Sequence, residues 1–392
     1  MNLEEEEAPP GKGLKLRRAT GLELPPPTQW VARGWVPRRE ITVLVGEEGI
    51  GKSLLWVLMA AHVTTGRPFP PFSLPAREPA DVVVVVTEDS AAEVDARLRL
   101  AGADMDRIIF YSAEDDGSGT PVFGNGMSGD MLLLDALLEE HESKPAMLVV
   151  DAWLDTVAGS LNIRDTQQAR QALHPWKTLA GRHDLAALLV THTNRMDTAS
   201  TRDLMGGTAA LRQKARMVLF AARSKADHDE PVQHLWIGPD KSNVTGLVDA
   251  VRFNVAVEQV RAATDDDPGT SARLTAPTSA AMTIRNLLAE WKQAEQEADR
   301  KPTKTESARA ELLDYVNAYG GTVPTKDLDA HLTALGYGKT AIEQAKHDSG
   351  TSAPGGYREP WQFTLHSQSP YPDPISQESR TTSESRNTES AA

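Results

Sequence analysis

Three observations in this 392-residue sequence predict an α/β fold built on a mostly parallel, doubly wound sheet. Short aliphatic and β-branched runs alternate with stretches of helical periodicity, the pattern of repeated strand–helix units. One of these runs, Asp81 to Thr87, is almost pure valine, as expected of a strand buried on both faces of a parallel sheet. A glycine-rich loop, Gly46-Glu47-Glu48-Gly49-Ile50-Gly51-Lys52-Ser53, follows the run Ile41 to Val45 and opens a helical stretch from Leu54 to Val63.

In chain order, residues 1–20 are charged and poor in large apolar groups, and are expected to be disordered. Pro25 to Pro27 form a stiff lead-in, after which Trp30, Val31 and Trp35 are expected to pack on the first strand. Further strands are predicted at 81–87, 146–150, 186–190, 217–223 and 232–237. Helices are predicted at 91–101, 131–142 and 166–180, so the layered core spans about 40–260. Residues 261–281, with Asp265-Asp266-Asp267-Pro268-Gly269, read as a linker. A second unit at 282–365 holds amphipathic helices at 284–296, 306–318, 325–335 and 340–348. A Gly355-Gly356 turn and an alternating strand at 361–365 follow. The tail from His366 is rich in Ser, Pro and Glu and is expected to be disordered.

Composition excludes several classes. With no cysteine there is no disulfide, thiol catalysis or cysteine-based zinc site. The net charge of −14 argues against coating nucleic acid by bulk attraction, although a channel or a single helix can be locally basic. No apolar stretch is long enough to span a membrane, and the acidic start is the reverse of a signal peptide, so a cytoplasmic location is expected.

The glycine-rich loop fits the phosphate-binding pattern G-x-x-x-x-G-K-[S/T]. A strand–loop–helix in this order aims backbone N–H groups, and the positive end of a helix, at phosphate. Lys52 can reach the terminal phosphates, and the Ser53 hydroxyl can ligate Mg2+. Gly46 to Ser53, with the adjoining Leu54, are the candidate residues for ATP. In such sheets ligands bind beyond the carboxyl ends of the strands, so polar residues closing each strand carry the chemistry. The valine run closes with Glu88, a candidate general base, and Asp89, a candidate cap for the next helix. The run 146–150 closes with Asp151, placed to hold Mg2+. The run 186–190 closes with Thr191-His192-Thr193-Asn194, where His192 can sense the γ-phosphate. A polar stretch at 200–208 with Arg202 is a candidate channel loop for single-stranded DNA. Arg195, Arg202, Arg212, Lys214, Arg216 and Lys241 are all candidates to neutralise charge on a neighbouring subunit's nucleotide, and the sequence does not choose among them.

This ordered set over about 30–260 resembles the RecA-like core of RepA-type hexameric replicative helicases and related plasmid, phage and mobile-element ATPases. The resemblance implies the loop 46–53 as the nucleotide site, Glu88 as base, Asp151 on Mg2+ and His192 as sensor. It further implies Arg216 as the arginine finger, Lys241 near the neighbour's phosphates, and a homo-oligomer, a hexamer, working on DNA. Two positions depart from the pattern: Thr191 stands where relatives often carry a first histidine, and Asn243 where DnaB-type proteins carry arginine. The C-terminal unit resembles a winged helix. Its third helix would present Lys339, Thr340, Gln344 and Lys346 to duplex DNA, with Arg358 on the wing. Two other readings fit the sequence: a filament-forming recombinase, and an ATP-switched DNA-binding regulator. A GTPase is disfavoured by the absence of an N-K-x-D motif.

Overall fold

A computed structural model describes residues 26–111, 120–123, 126–127, 129–163, 165–193, 209–224, 232–298 and 300–366. The expected disordered ends, Asn194, Arg195 and the loop with Arg202 lie outside these residues. The chain divides into two compact units, Met1–Glu295 and Gln296–Ala392.

The first unit holds the strands β1 (Trp30–Ala32), β2 (Val36–Pro37), β3 (Ile41–Gly46), β4 (Val82–Val86), β5 (Ile108–Tyr111), β6 (Met147–Asp151), β7 (Ala186–His192), β8 (Met217–Ala222), β9 (His234–Ser242), β10 (Val251–Gln259) and β11 (Thr270–Ser279). Its helices are α1 (Lys52–Thr65), α2 (Ala91–Ala101), α3 (Asp130–Glu140), α4 (Thr166–Arg182), α5 (Ala209–Lys214) and α6 (Ile284–Ala298), the last running into the second unit. One nine-stranded sheet has the order β11-β10-β9-β8-β3-β7-β6-β4-β5. The stretch from β8 to β5 is parallel, and β9 to β11 are added antiparallel. This is a RecA-like α/β core.

The run-like strands are buried on both faces, as their composition requires. Leu44, Val82, Val84, Val149, Leu188 and Leu219 point into one core with the apolar side of α1 and α2. Their neighbours Val43, Val45, Val83, Val85, Val150 and Leu189 point into the other, with α3, α4 and α6. Each fully buried valine contributes about 2 kcal/mol of transfer free energy, so the central strands are fixed by solvent exclusion on both sides. Val31 and Trp35 join the first core, as expected from sequence, whereas Trp30 is only half-buried.

The stretch 261–281 is not a linker. Gln259 and Thr270 pair across a turn, and β11 lies against β10 as the edge strand of the main sheet. Its Leu274 is buried in the core. The helix expected to begin the second unit instead packs on the first: Ile284 and Leu287 enter the core, and Trp291 meets Trp236 edge-on at 5.7 Å. The polar composition of 261–270 marks a hairpin turn, and the sequence pattern there does not separate an edge hairpin from a connection.

The second unit is α7 (Lys304–Ala318), β12 (Thr322–Pro324), α8 (Thr325–Ala334), α9 (Lys339–Ser349), β13 (Gly350–Pro354) and β14 (Trp361–Leu365). Its sheet order is β12-β14-β13. Helix–strand–helix–helix–strand–wing–strand is the winged-helix order. The core is small, with Leu312, Val316, Leu328, Leu332, Ile342 and Phe363 at its centre. Thr303 and Glu306 close a capping box at the start of α7.

Candidate active site

Parallel strands bring their closing residues to one edge. In spatial order across β8, β3, β7, β6 and β4 these are Arg223, the loop 46–53, His192, Asp151 and Glu88. The backbone makes the loop possible at two glycines. A Cβ on Gly46 would lie 2.7 Å from the Ala221 carbonyl oxygen, so only glycine fits there. Gly51 begins α1 with φ 96°, a conformation that side chains resist.

Lys52 is 5% exposed and the first residue of α1. Its Nζ donates to the Glu47 carbonyl oxygen at 2.7 Å and lies 3.0 Å from His192 Nδ1. His192 Nε2 lies 2.7 Å from Glu88 Oε1. An ammonium can only donate, so Nδ1 is the acceptor and the imidazole proton sits on Nε2, donated to the Glu88 carboxylate. The lysine, histidine and glutamate therefore form one directional relay. Burial lowers the Lys52 pKa, opposed by the nearby carboxylates of Asp151, Glu88, Glu48 and Glu47.

Asp151 is 6% exposed. Trp56 Nε1 donates to its Oδ2 at 2.7 Å, and the Ser53 hydroxyl also bonds it. Burial pushes the Asp151 carboxyl above the usual aspartate range; the Ser53 and Trp56 hydrogen bonds pull it down, and Glu88 and Asp89 push it up. The Lys52 ammonium is the positive charge nearest Asp151, and Glu88, Asp89, Glu47 and Glu48 leave the site with an excess of carboxylates that a divalent cation would offset. Among the described residues no group of three or more His, Asp or Glu could hold a metal alone. The Ser53 and Asp151 oxygens thus fit Mg2+ bound mainly through phosphate and water.

Glu88 is free of helix capping, because Ser90 caps α2 in a capping box with Glu93. Asp89, expected to be the cap, is instead paired with Arg97. A hydroxyl one residue further into the helix satisfies the N3 amide, leaving the Asp89 carboxylate free to reach Arg97. Thr87 ties the ends of β4 and β6 together: its Oγ1 accepts from Ala152 N at 2.9 Å and lies 3.1 Å from Asp155 Oδ2. The Asp151–Ala152 peptide is cis. A cleft of about 420 Å3 opens over the loop, bounded by Lys52, Ser53, Glu88, Asp151, His192 and Arg223. Arg223 did not stand out from the sequence, although it follows the same rule: it is the polar residue that closes β8.

Arg216 and Lys241 lie at the opposite edge. Arg216 precedes β8, donates its N–H to the Ile41 carbonyl at 3.1 Å and sits 3.6 Å from Glu40. Lys241, opposite Val218, donates to the Ala215 carbonyl at 2.8 Å and to that of Arg212. The strand β3 separates both from this chain's own loop by about 20 Å at roughly 3.3 Å per residue. Burial lowers the Lys241 pKa, with Arg212 and Arg216 adding to the effect. Arg212 is paired with Asp240, a fully buried carboxylate that Arg285 also reaches.

In the second unit Lys339, Thr340 and Gln344 are exposed on α9, with Glu343 among them. Lys346, expected to face outward, instead pairs with Asp329 at 2.8 Å with its side chain 18% exposed. The α9 turn carrying Ala345 is buried, which swings Lys346 toward α8. Arg358 sits at the wing tip over the Tyr357 ring at 5.4 Å.

Residues 7–197 match a family model described as an AAA domain. The match contains the phosphate loop, Glu88, Asp151 and His192, and ends before Arg216, Lys241 and the second unit. It supports placement in the P-loop ATPase class, whose members bind nucleotide, usually with Mg2+. No curated protein matches the chain. Among the described residues no helix is long and apolar enough to cross a membrane.

Proposed function

We propose that this chain is an ATP-driven, ring-forming motor of the RepA helicase type that acts on DNA. The relay Lys52–His192–Glu88 beside Asp151 carries this reading, because it links a phosphate contact to a carboxylate able to accept a water proton. Backbone N–H groups of the loop and the Lys52 ammonium take the terminal phosphates. Ser53 and Asp151 would hold Mg2+, which would supply charge neutralisation at the phosphate oxygens. Glu88 orients water and accepts its proton as the terminal phosphate bond breaks. In the relay His192 accepts one Lys52 N–H and the Glu47 carbonyl another. An incoming γ-phosphate takes them over, frees His192, and changes the hydrogen bond that holds Glu88. Nucleotide state is thereby reported along β7 to the segment that follows it, which contains Arg202.

The position of Arg216 and Lys241 at the far sheet edge supports a site shared between subunits. Neither can serve its own nucleotide, so each can act only on a neighbour's. Lys339, Thr340, Gln344 and Arg358 are the duplex contacts of the C-terminal unit, whose exposed Trp361 and Tyr357 also suit a protein partner.

The test is ATP turnover with and without single-stranded DNA, together with mass measurement in a non-hydrolysable ATP analogue. A motor shows stimulation and a closed ring. Turnover indifferent to any DNA ends the motor reading. Helical filaments with strand exchange indicate a recombinase, and sequence-specific duplex binding with little turnover indicates a switched regulator. A chain ending at residue 298 removes the winged unit cleanly, whereas one ending near 275 cuts β11 and disturbs the sheet.

A further inference from the structure

The cleft continues past the phosphate loop. Beyond Leu54 its wall is the end of β8 and the β10–β11 hairpin. Val255 and Val257 share one face of β10, and across the ladder they oppose Leu274 and Ala272. Leu274 is buried, while Val255 and Ala272 are half-buried against the core. Val257 extends this row into the cleft and is 65% exposed. An apolar row that leaves the core and ends uncovered in a polar cleft is a shelf for a ligand with an apolar face.

Arg223 stands beside this shelf. One guanidinium nitrogen lies 3.9 Å from the position a Cβ on Gly51 would take, which places the side chain against the phosphate loop. Its NH1 donates to Gln233 Oε1 at 2.9 Å, and Gln233 is itself anchored by the Val255 N–H donating to its carbonyl at 2.8 Å. The Arg223 Nε is buried and has no hydrogen-bond partner among the described residues. Burial also lowers its pKa. A desolvated guanidinium held in one plane by an amide, with one donor unused, is prepared for a flat partner or an acceptor near it. A guanidinium is weakly hydrated and stacks on aromatic faces, which an ammonium does not.

We propose that this half of the cleft is the nucleoside site. The Val255–Val257–Ala272 shelf takes the nucleobase, and Arg223, set in plane by Gln233, stacks on it. The inference rests on the reading of residues 46–53 as a triphosphate loop. The geometry gives the direction: phosphates at Lys52 and Ser53, then Leu54, then Arg223 and the hairpin.

The experiment compares two ligands on the full chain by calorimetry with Mg2+: ATP, and inorganic tripolyphosphate, which has no base. Arg223→Lys keeps the charge but removes the planar stacking surface. It is expected to weaken ATP about tenfold and to leave tripolyphosphate within about twofold. Val257→Ser, at an exposed position that cannot unfold the core, is expected to weaken ATP about threefold with tripolyphosphate unchanged. Lys52→Ala loses both ligands. The proposal is overturned if wild type binds ATP no more tightly than tripolyphosphate, if both variants leave ATP affinity unchanged, or if they weaken the two ligands alike. In the last case Arg223 is a phosphate ligand. A wild-type chain that binds neither ligand removes the phosphate-loop reading and this proposal with it.

Discussion

Both edges of the central sheet carry charged residues and treat them differently. At the carboxyl edge Lys52, Asp151 and Arg223 are partly or wholly desolvated around open space, and the Arg223 Nε has no hydrogen-bond partner among the described residues. At the amino edge the cations are engaged: Arg212 and Arg285 with Asp240, Lys241 with helix-end carbonyls, Lys177 and Arg216 with Glu40. One edge stores free energy of burial that a nucleotide and a metal can release. The other is satisfied within the subunit, and any action on a neighbour requires exchanging existing ion pairs for new ones. Polar groups therefore face open space at one edge, while at the other they are spent on contacts within the chain.

The largest effect expected from this contrast is on turnover. Glu88→Gln should lower ATP hydrolysis by about 10²–10⁴-fold while ATP still binds, and Lys52→Ala should lose binding itself. Equal loss of binding in both variants would show that Glu88 serves the loop rather than water. Arg216→Ala should also lower turnover, by about 10³-fold, without changing ATP affinity. The sharper measurement mixes Arg216→Ala chains with Glu88→Gln chains. Sites that pair an intact Glu88 with a neighbour's intact Arg216 recover activity, whereas two inactive variants that stay inactive on mixing would place all the chemistry within one subunit.

Smaller effects concern stability. Asp151 has a folded pKa above its unfolded value, so its favourable contribution is complete below the unfolded pKa and is lost as pH rises through the folded one. Above its folded pKa the nucleotide-free protein carries the cost of an ionised buried carboxylate. Asp151→Asn should therefore raise the unfolding midpoint of the nucleotide-free chain by a few degrees at neutral pH, with the gain fading as pH falls, while Mg2+-dependent nucleotide binding weakens. A thermal melt series across pH checks the sign; a drop at neutral pH would mean that the Trp56 and Ser53 bonds outweigh desolvation. Lys241→Met should cost about 1 kcal/mol, because two helix-end carbonyls lose a donor. Lys346→Ala should cost no more than about 1 kcal/mol, since its partner Asp329 is partly solvated, and should change duplex affinity less than Lys339→Ala.

Much of the carboxyl edge was legible in the sequence because its logic is local. A strand buried on both faces must be an apolar run, and the polar residues that follow it must lie at the sheet edge; Glu88, Asp151 and His192 were singled out in this way, and the structure brings all three to that edge. Arg223 obeys the same rule and was passed over because it was counted within its strand. The hairpin β10–β11 was misread because Asp265 to Gly269 has the composition of any exposed turn, and edge strands with one solvated face lack the apolar run. Lys346 was misread because helical spacing alone does not say that Ala345 is the buried position beside it.

By itself the sequence determined the α/β class, the phosphate loop and the residues closing three strands, since strand burial and glycine backbone freedom act over a few neighbouring residues. Tertiary structure decided the remainder. It joined Lys52, His192 and Glu88 into one hydrogen-bonded row, set Arg223 and the distant hairpin against the same cleft, and put Arg216 and Lys241 beyond reach of their own loop. Those outcomes depend on strand order, and strand order is fixed by how the two cores close over the sheet.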